Sequence, residues 1–569
     1  MHDTMEGLAK AARMTSEQAG RWAALSAAVV EARLRGDPIG VNQRIEYEIK
    51  RADGHPVALG YKYWAAENLM FAGHASKTVS ALDSLIGEAE HNKETWLPID
   101  PMVIALRRRV DALWLARDWK ATAAAATEMI TAAGSGNPGL ALEAARIVEN
   151  LGDTSEAERL YRRVIAESAG SDTARTPLAA ADETLPSMRD AARRDLERLL
   201  TPRDLFLNVE GLAQVLADAV ASNDHKQLAR LASRSHFALS VGAHAIYVET
   251  DALLERFARA LGRPVPDTME LVGRGRHFRL VPGWLEAGTP LRFVEFVLRR
   301  NARGWEWTGL SVADLEYWLP DLPHASPETN QPLDMRPGLH APWPAGRKFM
   351  AGGFRNPWHG FVAGTSLDPV TLLIRSCSSD CGFGVRGFYY NAAFSHNGPD
   401  AFAIDFTSYQ RCIPFANRAD GYPVLAPARG VVLGVRDRVT SGDDSAANVV
   451  EIIHLSTAGT CRYLSRYLHL AGPMRVPVSA VMFVPTGTTL GFMDDTGNSA
   501  TSHLHFSIHD QDRGPHPDAA VSSVSPPIRR GPSVRPTPMA GQRLDDADEA
   551  RCVESTLTGV RPTVAVRAP

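Results

Sequence analysis

The sequence predicts a multidomain chain: an α-helical, repeat-like N-terminal domain, a small α+β domain, and a C-terminal half built on antiparallel β-sheet. Three observations carry this prediction. Residues 20–200 are rich in alanine and leucine at helical period. From about residue 276 the apolar period changes to two, and from 346 to about 530 glycine, aromatics and β-formers dominate. At 569 residues the chain exceeds what one hydrophobic core serves, so three or four domains are expected.

The helical part, residues 1–200, shows its unit most clearly at 139–167. Ala141, Ala144, Ala145, Val148 and Leu151 line one helix, Gly152-Asp153 breaks it, and Ala157, Leu160, Tyr161, Val164 and Ile165 line the next. Ala72-Gly73 and Arg117-Asp118 punctuate the chain in the same way, roughly 35 to 45 residues apart. Hairpins repeat at this period because none buries its apolar stripe alone. The region loosely resembles the tetratricopeptide class, a solenoid of helical hairpins, without its full consensus. Its alanine and aromatic stripes are expected to be core, the alternative being a groove for a protein partner.

A Ser/Thr/Asp/Pro-rich linker (168–188) leads to a helix at 189–200, closed by Thr201-Pro202. Residues 201–320 are read as the α+β domain. Within it 207–262 read as helices, with Leu212, Val215, Leu216 and Val220 on one face. Phe293-Val294-Glu295-Phe296-Val297-Leu298, a turn at 301–304 and Trp305-Glu306-Trp307 then form a hairpin. Such a domain resembles the cystatin-like or NTF2-like class. It holds no cluster of acid/base or metal-ligand residues and is assigned no chemistry. Residues 321–345 form a Pro-rich connector, 346–525 the β domain, and 526–569 a Pro/Arg-rich tail in which Cys552-Val553 can return as an edge strand.

The composition excludes some partners. A net charge of −4 gives no field to attract nucleic acid, and no window approaches the roughly 18 apolar residues of a membrane span. The N-terminus is acidic where a signal peptide is basic, so neither an export signal nor a transmembrane segment is expected. The five cysteines, Cys377, Cys381, Cys412, Cys461 and Cys552, are an odd number in the C-terminal part, compatible with two disulfides or with buried thiols.

Histidines in the β half fall at telling positions. In Ser502-His503-Leu504-His505-Phe506 an extended strand turns both imidazoles to one face and Leu504 and Phe506 to the other. His396 precedes Ala403-Ile404-Asp405-Phe406, and His469 sits in Tyr467-Leu468-His469-Leu470. Imidazoles and a carboxylate meeting across strands make a metal or acid/base site. His454 and His509 are read as satisfied core residues.

Further strings complete an ordered series: Tyr422-Pro423-Val424-Leu425-Ala426-Pro427-Ala428-Arg429-Gly430, Asn448-Val449-Val450-Glu451-Ile452-Ile453-His454, Pro485-Thr486-Gly487-Thr488, and Thr496-Gly497-Asn498-Ser499 before the histidine pair. The series resembles the lysostaphin/LytM-type zinc metalloendopeptidases, which cleave peptide bonds of bacterial peptidoglycan. The resemblance implies that the C-terminal β domain is an antiparallel-sheet zinc peptidase domain. By the same resemblance His396, Asp405 and His505 bind Zn2+, leaving a fourth position open for catalysis. His469 and His503 match the family's two catalytic histidines, which orient and deprotonate water, stabilise the oxyanion or protonate the leaving amine. Asp400 has the four-residue spacing of many members, whereas the Ala-x-Asp-Phe string favours Asp405. Asn448 and Tyr467 either line the substrate groove or hold strands together. Cys377 and Cys381 as a metal pair is the weaker reading.

The function so implied is a zinc-dependent endopeptidase acting on peptidoglycan stem peptides or crossbridges, in the periplasm, the wall or the medium. The alternatives are a non-enzymatic adaptor of wall hydrolases and a zinc peptidase with another protein substrate. The front half is expected to position or regulate the peptidase. If it covers the groove, removing residues 1–330 raises activity.

Overall fold

The computed structural model describes residues 2–52, 54–92, 100–133, 138–167, 188–200, 206–233, 237–241, 244–247, 254, 257, 269–274, 277–282, 294–301, 304–311, 348–352, 403–407, 421–440, 447–455, 461–497, 499, 502–513, 530–531, 533 and 551–554. The 168–187 part of the predicted linker, the connector at 321–345 and most of the tail lie outside these residues, as do His396, Asp400, Cys377, Cys381 and Cys412.

The N-terminal part is a stack of helices: α1 (His2–Ala11), α2 (Ser16–Leu34), α3 (Asn42–Arg51), α4 (Val57–Phe71), α5 (Ala75–His91), α6 (Pro101–Leu115), α7 (Trp119–Ala133), α8 (Pro138–Asn150), α9 (Thr154–Glu167) and α10 (Met188–Leu200). The three predicted breaks are hairpin turns of one design. Gly73, Arg117 and Gly152 each take a left-handed φ of 59° to 88°. The next residue's amide then reaches back five positions, His74 to Leu69, Asp118 to Leu113 and Asp153 to Val148. This satisfies carbonyls that the helix end leaves without a partner. Gly36-Asp37 makes the same turn after α2, and the helices begin near residue 2 rather than 20. Thr15 and Gln18 close a reciprocal cap at the start of α2. No helix among the described residues is long and apolar enough to cross a membrane.

The α+β part comprises α11 (Val209–Ala221), α12 (His225–Leu231) and strands β1 (Ala238–Val241), β2 (His244–Tyr247), β3 (Met269–Arg274), β4 (His277–Pro282), β5 (Glu295–Asn301) and β6 (Gly304–Ser311), in sheet order β2-β1-β6-β5-β4-β3. The predicted β5–β6 hairpin is present, with a bulge at Val297/Leu298. Residues 238–247 correct the helical reading of 207–262, because they pair antiparallel as β1 and β2, with β1 parallel to β6. Pairing beside β6 decides this segment, and its alanines mask the alternation of Leu239 and Val241. Phe237, Phe257, Phe296 and Trp307 pack as one aromatic cluster at centroid distances of 4.9 to 6.0 Å, three of its four pairs edge to face and Phe296–Trp307 tilted.

The C-terminal part contains β7 (Lys348–Gly352), β8 (Ile404–Thr407), β9 (Pro423–Leu425), β10 (Gly430–Arg436), β11 (Val449–Leu455), β12 (Cys461–Leu468), β13 (Phe483–Val484), β14 (Thr489–Phe492), β15 (His503–Asp510) and β16 (Arg551–Glu554). Eight of these form one sheet, ordered β13-β10-β11-β12-β15-β8-β7-β16, with antiparallel pairings throughout. Cys552-Val553 does return as an edge strand, against β7.

The helical stack and this sheet share one hydrophobic core. Polar contacts also tie them: Trp64 Nε1 donates to the Ala480 carbonyl (3.0 Å) and the Phe483 amide to Ser26 Oγ (3.2 Å). Buried charges cross the same boundary. Arg108 pairs with Asp437 (2.7 Å), Arg438 with Glu143 (2.6 Å), and Arg33 with the Ser479 hydroxyl, while within the stack Arg108 and Arg33 share Glu67 (2.7 and 3.1 Å). Burial alone would raise the Glu143 pKa, but the Arg107 and Arg438 guanidiniums outweigh it and hold the carboxyl below its ordinary value. A charged network so buried is costly to break at one member.

Candidate metal centre

The site begins at β15. Its alternation sends Leu504 and Phe506 into the core, where Phe506 meets Tyr467 at 5.2 Å between ring centroids, and turns His503 and His505 to the opposite face. Register supplies the carboxylate. β15 pairs with β8 so that His505 lies opposite Asp405, and His505 Nδ1 stands 3.0 Å from Asp405 Oδ1. His503 Nε2 lies 3.7 Å from Asp405 Oδ2. All three residues are buried to within 2% of full burial.

His469 reaches this face by a backbone device. It directly follows β12, where strict alternation would place it with Tyr467 on the core side. Its φ is +61°, a left-handed conformation that costs a non-glycine residue about 1 kcal/mol or more. The alternation breaks there, and the ring lies 4.4 Å from that of His503 and 6.1 Å from that of His505. His469 Nδ1 is 2.7 Å from the Thr496 carbonyl. A carbonyl only accepts, so Nδ1 carries the hydrogen and the neutral ring has its lone pair on Nε2. His503 is held instead by a hydroxyl, Ser499 Oγ, at 3.0 Å from its Nδ1.

The supporting loop is pinned at several points. Thr496 Oγ1 donates to the Leu470 carbonyl and accepts from the Asn448 amide, at 2.8 and 3.0 Å. Gly497, at φ +79°, packs so closely that a Cβ there would stand 2.6 Å from the Ala447 nitrogen. The side-chain amide of Asn448 bonds both backbone groups of Val439, Oδ1 accepting from its N–H and Nδ2 donating to its carbonyl, so Asn448 joins loops. Tyr467 is fully buried on the core face.

His454 and His509 are satisfied core histidines. His454 Nδ1 donates to the Arg429 carbonyl (2.7 Å), its Nε2 accepts from Ser465 Oγ (2.8 Å), and that oxygen accepts from the Tyr467 hydroxyl (3.0 Å). Burial pushes the His454 pKa down to about 4, against the smaller opposing effect of the Arg429 carbonyl. His509 lies between Ser507 Oγ and the Gly531 carbonyl, at 2.9 and 3.0 Å.

The donor chemistry fits a zinc ion in part. Two donors sharing a tetrahedral ion at about 2.0 Å stand roughly 3.3 Å apart, close to the Asp405–His505 separation of 3.0 Å. Among the described residues no three His, Cys, Asp or Glu side chains gather as a metal-holding group. His396, the third expected ligand, lies outside those residues. Sequence reasoning brought Asp405, His469, His503 and His505 together. It missed Thr496 and Ser499, although both lie in the Thr496-Gly497-Asn498-Ser499 string it singled out.

Residues 409–517 match the family model described as Peptidase family M23. The matched segment contains His469, His503 and His505 and begins after Asp405. No curated protein sequence matches the chain. Among solved structures the chain is similar to a putative kinesin light chain with TPR-like repeats from Podosopora anserina, at 14% identity over 31% of this chain and 83% of that one, with a TM-score of 0.24. It is similar to lysostaphin from Staphylococcus simulans, at 21% identity over 19% of this chain and 36% of that one, TM-score 0.14. A putative peptidase M23 from Pseudomonas aeruginosa gives 18% identity over 49% of this chain and 95% of that one, TM-score 0.17. Within the C-terminal β domain, residues 409–517 belong to peptidase family M23.

Proposed function

We propose that the C-terminal domain is a zinc-dependent endopeptidase that hydrolyses peptide bonds in bacterial peptidoglycan, outside the cytoplasmic membrane. The observation that carries the reading is the buried Asp405–His505 pair facing each other across β8 and β15, with His469 and His503 beside it. Asp405, His505 and, by family resemblance, His396 would hold the zinc, which supplies Lewis acidity toward water and the scissile carbonyl.

The remaining roles belong to the chain. His469 donates from Nδ1 to the Thr496 carbonyl, so its Nε2 is the acceptor that takes the proton of the attacking water. The Thr496 carbonyl then stabilises the imidazolium that forms. His503 accepts from the Ser499 hydroxyl at Nδ1 and presents an Nε2 hydrogen on the Asp405 side, where it donates a hydrogen bond to the developing oxyanion, and the proton that His469 has taken from the water passes on to the leaving amine. Burial of both rings strengthens these interactions by excluding water. The left-handed backbone at His469 holds its ring ready before substrate arrives.

Digestion of purified peptidoglycan by the full-length protein, with and without a zinc chelator, tests the reading. Fragments cut at peptide bonds, identified by mass spectrometry and lost on chelation, are the expected result. A zinc-loaded protein that releases nothing from several wall types would overturn it and favour the adaptor or a non-wall substrate.

A further inference from the structure

The loop that carries Ser499 is held from inside the peptidase domain at Thr496 and Gly497, but Ser499 is also held from elsewhere. Arg299, on β5 of the α+β domain, donates from Nη2 to the Ser499 carbonyl at 3.0 Å, across 200 positions of sequence. Both residues are buried, Arg299 to 6% exposure and Ser499 completely. The Ser499 hydroxyl meets His503 Nδ1 at 3.0 Å, and the Ser499 amide closes a tight turn onto the Gly497 carbonyl at 2.8 Å. A guanidinium from one domain thus fixes the backbone of the residue whose side chain orients the proposed oxyanion-binding histidine in another.

We propose that Arg299 is a positioning residue for His503, and that the α+β domain is thereby part of the catalytic apparatus; this rests on the peptidase reading above. The physical reason is rigidity. A serine rotamer places its hydroxyl only as well as its own backbone is placed, and a buried, charge-assisted hydrogen bond to a carbonyl is a strong constraint. A displacement of about 1 Å at such a group costs on the order of a hundredfold in rate. The α+β domain therefore promotes activity, opposite in sign to a front half that merely covers the groove.

The test uses the full chain with Arg299→Ala, Arg299→Gln, Arg299→Lys and Ser499→Ala. On a soluble peptidoglycan fragment, Arg299→Ala is expected to lower kcat at least tenfold, with KM within twofold and zinc content unchanged. Arg299→Lys, which can still donate, restores most of the loss. In the Ser499→Ala background Arg299→Ala adds little further, because the hydroxyl it positions is gone. Should Arg299→Ala not fold, Arg299→Gln, whose shorter amide falls short of the carbonyl, decides the same question. A readout independent of activity is the ring nitrogen resonance of His503 in 15N-histidine-labelled protein, assigned by its loss in His503→Gln. That resonance should shift in Arg299→Ala and return in Arg299→Lys. An unchanged resonance, an unchanged kcat, or losses that multiply in the double variant would overturn the proposal. If the wild type cleaves nothing, the peptidase reading fails and the resonance still decides the role of Arg299.

Discussion

His454 gives this protein an acid sensitivity whose size follows from its surroundings. The ring is 5% exposed, and its pKa falls from 6.5 to about 4. In the folded state Nε2 accepts the Ser465 hydroxyl, so protonating it loses that hydrogen bond as well as burying a charge. The folded pKa lies below the unfolded one, so as pH falls the unfolded chain takes up the proton first. The stability His454 contributes is whole above about pH 6.5 and is lost as pH falls toward 4. With a shift of about 2.5 units the loss is about 2 kcal/mol at pH 5 and about 3 kcal/mol at pH 4. The perturbation is His454→Gln, which can keep the contacts to Arg429 and Ser465 without titrating. Thermal unfolding of both proteins from pH 7.5 to 4.5 reads the effect as a difference of differences, which cancels the other titrating groups. The wild type should lose stability more steeply than the variant, and converge on it as pH falls. Parallel curves would refute a neutral, hydrogen-bonded His454.

Three further outcomes follow from the packing. Glu67→Ala leaves Arg33 and Arg108 buried without their shared carboxylate; it should cost roughly 3–5 kcal/mol, and in the wild type helical circular dichroism and hydrogen exchange at the sheet amides should report one coincident transition. Gly497→Ala must fit a Cβ 2.6 Å from the Ala447 nitrogen at a left-handed φ. Peptide cleavage should fall at least tenfold while zinc content holds, and full activity would show that the loop tolerates movement. Arg117→Gly relieves a non-glycine left-handed turn at φ 59°; its unfolding free energy should rise by about 1 kcal/mol, and a decrease would show that the arginine side chain matters more than its backbone.

What the sequence made legible follows its local signals. Helical period and the breaks at Gly73, Arg117 and Gly152 located three hairpins, since each turn needs a left-handed residue just where the apolar stripe stops. Strand alternation put His503 and His505 on one face, and Asp405 arrives opposite because its own short apolar string pairs with them. Non-local features were hidden. The strands at 238–247 depend on β6, more than sixty residues later. The shared core of helices and sheet, the Arg108–Asp437 pair and the Arg299–Ser499 bond join positions hundreds of residues apart, and no local pattern encodes them. The bend at His469 was illegible for another reason: its short Tyr-Leu-His-Leu string reads as unbroken alternation.

The proposed peptidase depends on Asp405 and His505 holding the zinc that peptide cleavage requires. Its most direct test is zinc content by mass spectrometry, measured beside cleavage of peptidoglycan, for the wild type, Asp405→Ala and Asp400→Ala. About one zinc per chain and cleavage are expected in the wild type and in Asp400→Ala, with both lost in Asp405→Ala. An Asp405→Ala protein that keeps its zinc and its cleavage, or an Asp400→Ala protein that loses both, would contradict it.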